Sequence, residues 1–314
     1  MGVTSDVPLM NAARESQSRS IRFVRCNLCG ADDFAIVFPK GYAQLHRIVR
    51  CNQCGHMYSN PQELVDCERV KADTHSRLFD EQIGGQYFRK QQVQLPDNER
   101  SLRVLNGLFP QRGKLLEIGS FCGIFLDRIR ADGWDVMGLE PDPGPADYAR
   151  RKYGLRITDE LLPNPALPSG YFDVVVMLHV IEHMPDPSKD LQDIHRMLVP
   201  GGVLVVETPR FDSLMFKLFG RRERSLSNCN GHIHFFTVPT LRRVLEKNGF
   251  EVIRVDLVGR TLTLDRFLYN VGVMLRHEWI RTRLARLSSA LHLDRLRIYV
   301  NVHDMQRIYS RAKK

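Results

Sequence analysis

Three sets of residues in this chain have the types and spacing to do chemistry. Cys26 and Cys29 stand in "RCNLCG", and Cys51 and Cys54 in "RCNQCGH". Gly119 and Gly123 break the apolar stretch "LLEIGSFCGIFL", with Glu117 just ahead of them and Glu140 about twenty residues on. His179 and His183 lie in "LHVIEH", and His232 and His234 in "GHIHFF".

Each cysteine pair has two intervening residues and a glycine directly after it. Such a turn aims two thiolates at one point, and two turns complete a tetrahedron around zinc. Disulfides are the competing reading, but the opening residues lack the layout of a secretion signal, and a cytoplasmic chain keeps its thiols reduced. Neither pair opens a helix of a thioredoxin-like unit, which argues against redox activity. Four protein ligands leave no open position, so the expected zinc is structural. His56 is an alternative fourth ligand. Cys67, Cys122 and Cys229 read as ordinary thiols.

The glycine turn is not built for phosphates. A dinucleotide turn needs a glycine two residues after the first, where Phe121 stands, and a P-loop needs Gly-Lys-Ser/Thr where Cys122-Gly123-Ile124 stands. The glycines still let a ligand approach the backbone, and Glu117 adds a carboxylate. Glu140 ends the next strand, where an acid accepts hydrogen bonds from both ribose hydroxyls. A nucleoside without phosphates, carrying a charged amino-acid tail, describes S-adenosylmethionine.

Histidine has the pKa for a general base. His232 is the preferred candidate, with His183, His179 and His234 beside it. For His183 the competing role is to shape its loop by hydrogen bonding, and Glu182 shares that ambiguity. A zinc or iron site on the same histidines lacks matching carboxylates.

These residues need elements to position them. Residues 1–20 read as a disordered polar tail, 21–62 as a zinc ribbon, and 63–110 as a helical connector. From 113 onward, apolar strands such as "KLLEIG", "WDVMGLEP" and "YFDVVVMLHV" alternate with helices. One of these, "PSKDLQDIHRMLVPGG", is expected to stop at Gly201 and Gly202. That alternation implies an α/β fold with a parallel sheet covered on both faces.

"LLEIGSFCGIFL", "GLEPDP", "FDVVVMLHVIEHMPDP" and "LVPGGVLVVETP", in this order, resemble class I S-adenosylmethionine-dependent methyltransferases. "GHIHFFTVPTLRRVLEKNGFEV" resembles a subgroup that often carries an N-terminal zinc ribbon and modifies small molecules, including sugars. The resemblance implies a Rossmann-like, seven-stranded, mostly parallel doubly wound sheet over 111–314, closed by an antiparallel strand in "VNVHDMQRIYSRAKK". Insertions are expected at 209–236 and 259–297. It also implies cofactor contacts at Glu117, Gly119, Gly123, Glu140 and His179, with Asp159 and Leu161 near the adenine. Phe121 and Cys122 depart from the family, which usually has small residues there.

Formal net charge is +9, and residues 259–314 hold twelve Arg or Lys against four Asp or Glu. A basic end on a nearly neutral body points to an anionic partner or to a solvated helix face. Ile280, Leu284, Leu287 and Leu291 recur at helical spacing among arginines, a pattern that packs on the protein's own sheet or lies on an anionic membrane. The expected activity is methylation of a small anionic acceptor, such as a nucleotide- or lipid-linked sugar, by a cytoplasmic or membrane-peripheral enzyme. An RNA methyltransferase and a non-catalytic cofactor-binding adaptor are the alternatives. Nucleic acid ranks below a small molecule because the ribbon is only mildly basic and aromatics between Lys and Arg are sparse.

Overall fold

Each cysteine pair occupies a tight turn closed by its following glycine. The Gly30 amide donates to the Cys26 carbonyl at 2.7 Å and the Gly55 amide to the Cys51 carbonyl at 2.9 Å. Both glycines have positive φ, where any side chain is strained. The computed structural model describes residues 21–39, 47–63, 81–220, 231–275, 283, 291 and 293–314. The expected tail at 1–20, Cys67, Cys229, residues 221–230 of the expected 209–236 insertion, and Ile280, Leu284 and Leu287 lie outside the described residues.

The N-terminal ribbon contributes strands β1 (Ile21–Arg22), β2 (Phe34–Phe38), β3 (Ile48–Cys51), β4 (Met57–Ser59) and β5 (Gln62–Glu63). Helix α1 (Glu81–Leu108) follows, then β6 (Lys114–Ile118), α2 (Ile124–Ala131), β7 (Asp135–Leu139), α3 (Pro143–Tyr153) and β8 (Ile157–Thr158). The chain returns through β9 (Phe172–Leu178), α4 (Pro187–Met197), β10 (Leu198–Pro209) and α5 (Leu214–Phe219). It ends with β11 (His234–Phe235), α6 (Val238–Lys247), β12 (Phe250–Thr263), α7 (Leu264–Leu275) and β13 (Arg297–Ala312).

Seven of these strands form one sheet in the order β12-β13-β10-β9-β6-β7-β8. Only β13 runs antiparallel to its neighbours. Alternate residues along each central strand feed opposite faces, the period-two signature of a sheet covered on both sides. Leu115, Val174, Val176, Val203 and Val205 pack with α1, α2 and α3 residues such as Leu105, Leu126 and Ala149. Leu116, Val175, Met177, Leu204 and Val206 pack with Leu191 and Ile194 of α4 and Leu241 and Leu245 of α6. That second core also takes in Cys26, Leu28, Val49 and Tyr58 of the ribbon. The expected doubly wound Rossmann-like sheet is the observed one.

One local expectation is corrected. Helix α4 stops at Met197, and β10 already starts at Leu198, ahead of the glycine pair. Val199 precedes Pro200, and a residue before proline is pushed out of helical geometry. Gly201 then takes φ +81°, and the pairing with β9 skips from Leu198 to Val203. A second finding concerns the start of the 259–297 insertion. Strand β12 continues to Thr263 and pairs with β13 along most of its length, so the insertion opens as a two-stranded arm.

The chain crosses from β6 to β7 on one side and to β9 on the other, so the carboxyl ends of β6 and β9 flank a topological switch point. Open α/β sheets bind their ligands there. At this edge Gly123 has φ +75°, and a Cβ on it would lie 2.6 Å from Leu155 Cδ1 and 2.9 Å from the Ala149 Cβ. Gly123→Ala should therefore cost roughly 2–5 kcal/mol, from backbone strain plus overpacking, measured as a lower urea midpoint.

Candidate active site

Strand β6 ends at Ile118, and the next five residues turn back through left-handed backbone at Gly119, Phe121 and Gly123. A Cβ on Gly119 would lie 2.6 Å from Val180 Cγ2, so this glycine lets the turn close against the segment after β9. Phe121 has φ +46°, a conformation that costs a residue with a side chain about 1–2 kcal/mol. In return its amide donates to Glu140 Oε2 at 2.7 Å, while the Asp142 amide donates to Oε1 at 3.0 Å. The departure noted at Phe121 is thus a device that aims the Glu140 carboxylate across the turn.

Glu117 and Glu140 are both buried. Burial raises the Glu140 carboxyl to about 7, against the lowering effect of the Asp142 and Phe121 amides. Burial, with the nearby Glu140 charge second, holds Glu117 well above its usual range. Glu117 Oε2 is buried with no hydrogen-bond partner among the described residues. An unpartnered buried carboxylate beside an oriented one, over glycines with no side chain in the way, fits a ligand bringing an ammonium group and hydroxyls. Asp159 and Leu161 lie just beyond β8. Asp159 is half exposed and pairs with Arg150 at 3.5 Å, and Leu161 is half-buried.

Across the switch point, β9 ends at Leu178, and His179 takes φ +59° with its amide on the Glu207 carbonyl at 2.9 Å. A single 3₁₀ turn, Ile181–His183, follows. It sinks Glu182 completely, at 0% exposure, where Oε2 accepts the Thr208 hydroxyl at 2.9 Å. Around Oε1 stand His179 Nδ1 at 3.5 Å and His232 Nε2 at 3.9 Å. The His183 and His232 rings meet edge to face at 4.6 Å between centroids. Behind them His179 Nε2 lies 3.5 Å from Glu207 Oε1, and Glu207 takes Arg307 Nε at 2.7 Å. Burial lowers the His232 imidazole to about 4, with Glu182 pulling the other way. For Glu182 burial pushes the carboxyl up, but the facing His179 and the other neighbouring imidazoles bring it below its ordinary value.

The structure therefore gathers His179, His183 and His232 around Glu182, and it sends His234 elsewhere. His234 is buried with Nδ1 3.0 Å from His56 Nε2, inside a stack that includes Tyr58 and Phe236. His234 thus turns into the ribbon interface, and His56 is engaged by it. The sequence reading missed the central place of Glu182 and the support from Glu207, Thr208 and Arg307. A signal was present: "VETP" ends the strand beside "LHV", and Glu207 pairs in register with Leu178.

The four cysteines come together as expected. Their sulfurs lie within 4.8 Å of one another, with Cys26 to Cys54 at 3.4 Å and Cys29 to Cys51 at 3.5 Å. A zinc tetrahedron with sulfur at 2.3 Å has edges of about 3.8 Å, so the cluster fits a zinc ribbon, whereas these distances are far beyond a disulfide bond. The ribbon's sheet is completed from the other end of the chain. Strand β11 pairs with β4, His234 opposite Tyr58 and Phe235 opposite Met57. Just before it, the Ser59 amide donates to the Ile233 carbonyl at 2.8 Å and the Ile233 amide to the Glu182 carbonyl at 2.9 Å. The loop bearing His232 is thereby strung between the ribbon and Glu182.

A parallel sheet with a non-phosphate glycine turn and an acid on the second strand defines a nucleoside-binding α/β enzyme. Residues 87–255 match the methyltransferase domain family, and the chain belongs to it. Its relatives include a tRNA U34 carboxymethyltransferase of Syntrophotalea carbinolica, 33% identical over 48% of this chain and 49% of that protein. A ubiquinone biosynthesis O-methyltransferase of Actinobacillus pleuropneumoniae is 32% identical over 33% of this chain and 47% of that one. The chain thus spans about half the length of these curated relatives. The fold is shared with an S-adenosylmethionine-dependent methyltransferase of Thermotoga maritima, at TM-score 0.50 and 22% identity over 75% of this chain and 99% of that chain.

Because β11 leans on the ribbon, Cys51→Ser should open residues 21–63 to protease. It should also lower turnover about tenfold or more with cofactor affinity little changed, since metal sites of this kind supply much of their lobe's folding energy. Limited proteolysis, calorimetry and a methyl-transfer assay on the same variant check all three.

Proposed function

We propose that this enzyme methylates a hydroxyl group of a small anionic molecule, such as a nucleotide- or lipid-linked sugar or a related metabolite. The observation that carries the reading is the buried Glu182 with its three imidazoles, set beside the glycine turn. It offers one acceptor atom a place next to groups able to take a proton.

When bound, the cofactor supplies a methyl carbon made electrophilic by its sulfonium. Glu140 would hold the ribose hydroxyls, Glu117 and the backbone at Gly119 and Gly123 the amino-acid end, and Asp159 and Leu161 the adenine side. His232, with His183 and His179 beside it, would receive the acceptor's proton as the acceptor oxygen takes up the methyl group. The zinc held by Cys26, Cys29, Cys51 and Cys54 stays structural and keeps β4 in place for β11.

An anionic handle is supported by a cleft between α1 and the β12–β13 arm. It has a volume of about 660 Å³ and is lined by Arg103 and Arg311 together with Arg100 and Arg254, which are paired with Asp97 and Asp256 at its margin. An adjoining space of about 360 Å³ reaches Arg307, the partner of Glu207 at the histidine cluster. The arginines expected on 280–291 are largely outside the described residues, and this cleft takes over the role proposed for them. The tRNA-modifying relative favours a second reading, an RNA acceptor on the same basic cleft. No helix among the described residues is long and apolar enough to cross a membrane.

Incubation with methyl-labelled cofactor and fractionated cell extract tests the proposal. Label in the phosphorylated small-molecule fraction supports it, and label in RNA replaces it with the second reading. His232→Ala should lower turnover ~100-fold or more while calorimetry shows unchanged cofactor affinity. The ionised Glu140 is the form that accepts two hydroxyls. Affinity for S-adenosylmethionine should therefore fall as pH drops through about 7. The fall should approach ~10-fold per pH unit, and Glu140→Gln should flatten it.

A further inference from the structure

Glu182 is more deeply committed than a proton relay requires. Its Oε1 is buried without a hydrogen-bond partner, although Oε2 is held by Thr208 at 2.9 Å. His232 Nδ1 is likewise buried and without a partner among the described residues. One ligand atom each from Glu182, His183 and His232 lies within 4.8 Å of the others. Carboxylates sunk this far from water are normally paired with a cation or bound to a metal. His179 and His232 face Oε1 at 3.5 and 3.9 Å, too far for hydrogen bonds.

We propose that Glu182, His183 and His232 bind a divalent transition-metal cation, at a site separate from the four-cysteine cluster. One carboxylate and two imidazoles form a donor set suited to zinc, iron or manganese, and three protein ligands leave positions open. The surroundings have the form of a support for such a site. The Thr208 hydroxyl orients the carboxylate, and the Ile233 amide on the Glu182 carbonyl locks the His232 loop to the turn that carries the other two ligands. His179, half exposed, stands at the entrance. The carboxylate that the histidines lacked in the sequence reading is Glu182, buried beneath them. The site's use rests on the reading that an acceptor hydroxyl enters this cluster; with the ion bound His232 is a ligand, and the half-exposed His179 is the imidazole left to take the proton. An oxygen in the open position would be a ligand and would lose its proton at lower pH.

Manganese is the probe, because thiolates favour softer ions and leave it to oxygen and nitrogen ligands. Protein carrying zinc in its ribbon is titrated with Mn²⁺, and the free ion is followed by electron paramagnetic resonance. One Mn²⁺ per chain should bind. Binding should be lost in Glu182→Gln and weakened ~10-fold or more in His183→Asn, with ribbon zinc unchanged by elemental analysis. If Glu182→Gln fails to fold, the half-buried His183→Asn decides. A wild-type protein that takes up no Mn²⁺, or variants that bind it undiminished, would overturn the inference. That outcome leaves the methylation reading standing with His232 as the base, because label transfer to an acceptor is a separate measurement.

Discussion

The pairing of β11 with β4 is the contact on which the arrangement of this enzyme depends. It is short, two residues on each strand, but it closes the ribbon's sheet with a segment from the far side of the methyltransferase fold. A ribbon of about forty residues is too small to bury a core of its own. Here it borrows one, placing Leu28, Val49 and Tyr58 in the same cluster as α4 and α6. In exchange it gives the His232 loop a rigid edge. The cysteine turns, the stack of His56 on His234, and the loop facing Glu182 form one continuous support.

The carboxyl edge of the sheet carries four acids that their surroundings divide into two pairs. Glu117 and Glu140 lie together at the glycine turn, where burial raises both. Glu182 and Glu207 lie at the histidine cluster, where imidazoles and Arg307 overcome the same burial and lower both. Environments that drive similar groups apart mark different tasks within one active site. The antiparallel strand β13 matters here because it delivers Arg307 to Glu207, and Glu207 in turn steadies His179.

The family match covers 87–255, which includes the glycine turn, the Glu182 turn and β11. The ribbon and β13 lie outside it. Those outlying parts shape the histidine cluster, through β4 and through Arg307, while the glycine turn and Glu140 lie within the matched region.

The sequence alone determined the elements and their order, since strand and helix periods, glycine turns and cysteine spacing are local properties of the chain. It also determined the four-thiolate cluster and the turn–acid pair, each defined by residues close together or at a known offset. It did not determine which histidines meet. His232 and His234, two apart, would share a face of an extended strand, yet one turns to Glu182 and the other to His56, 178 residues away. Nor did it reveal that Glu182 is sunk beneath three imidazoles, because that burial depends on Thr208 from the neighbouring strand and on a loop held by the ribbon. Contacts of this kind arise from packing between distant segments, and no local periodicity records them.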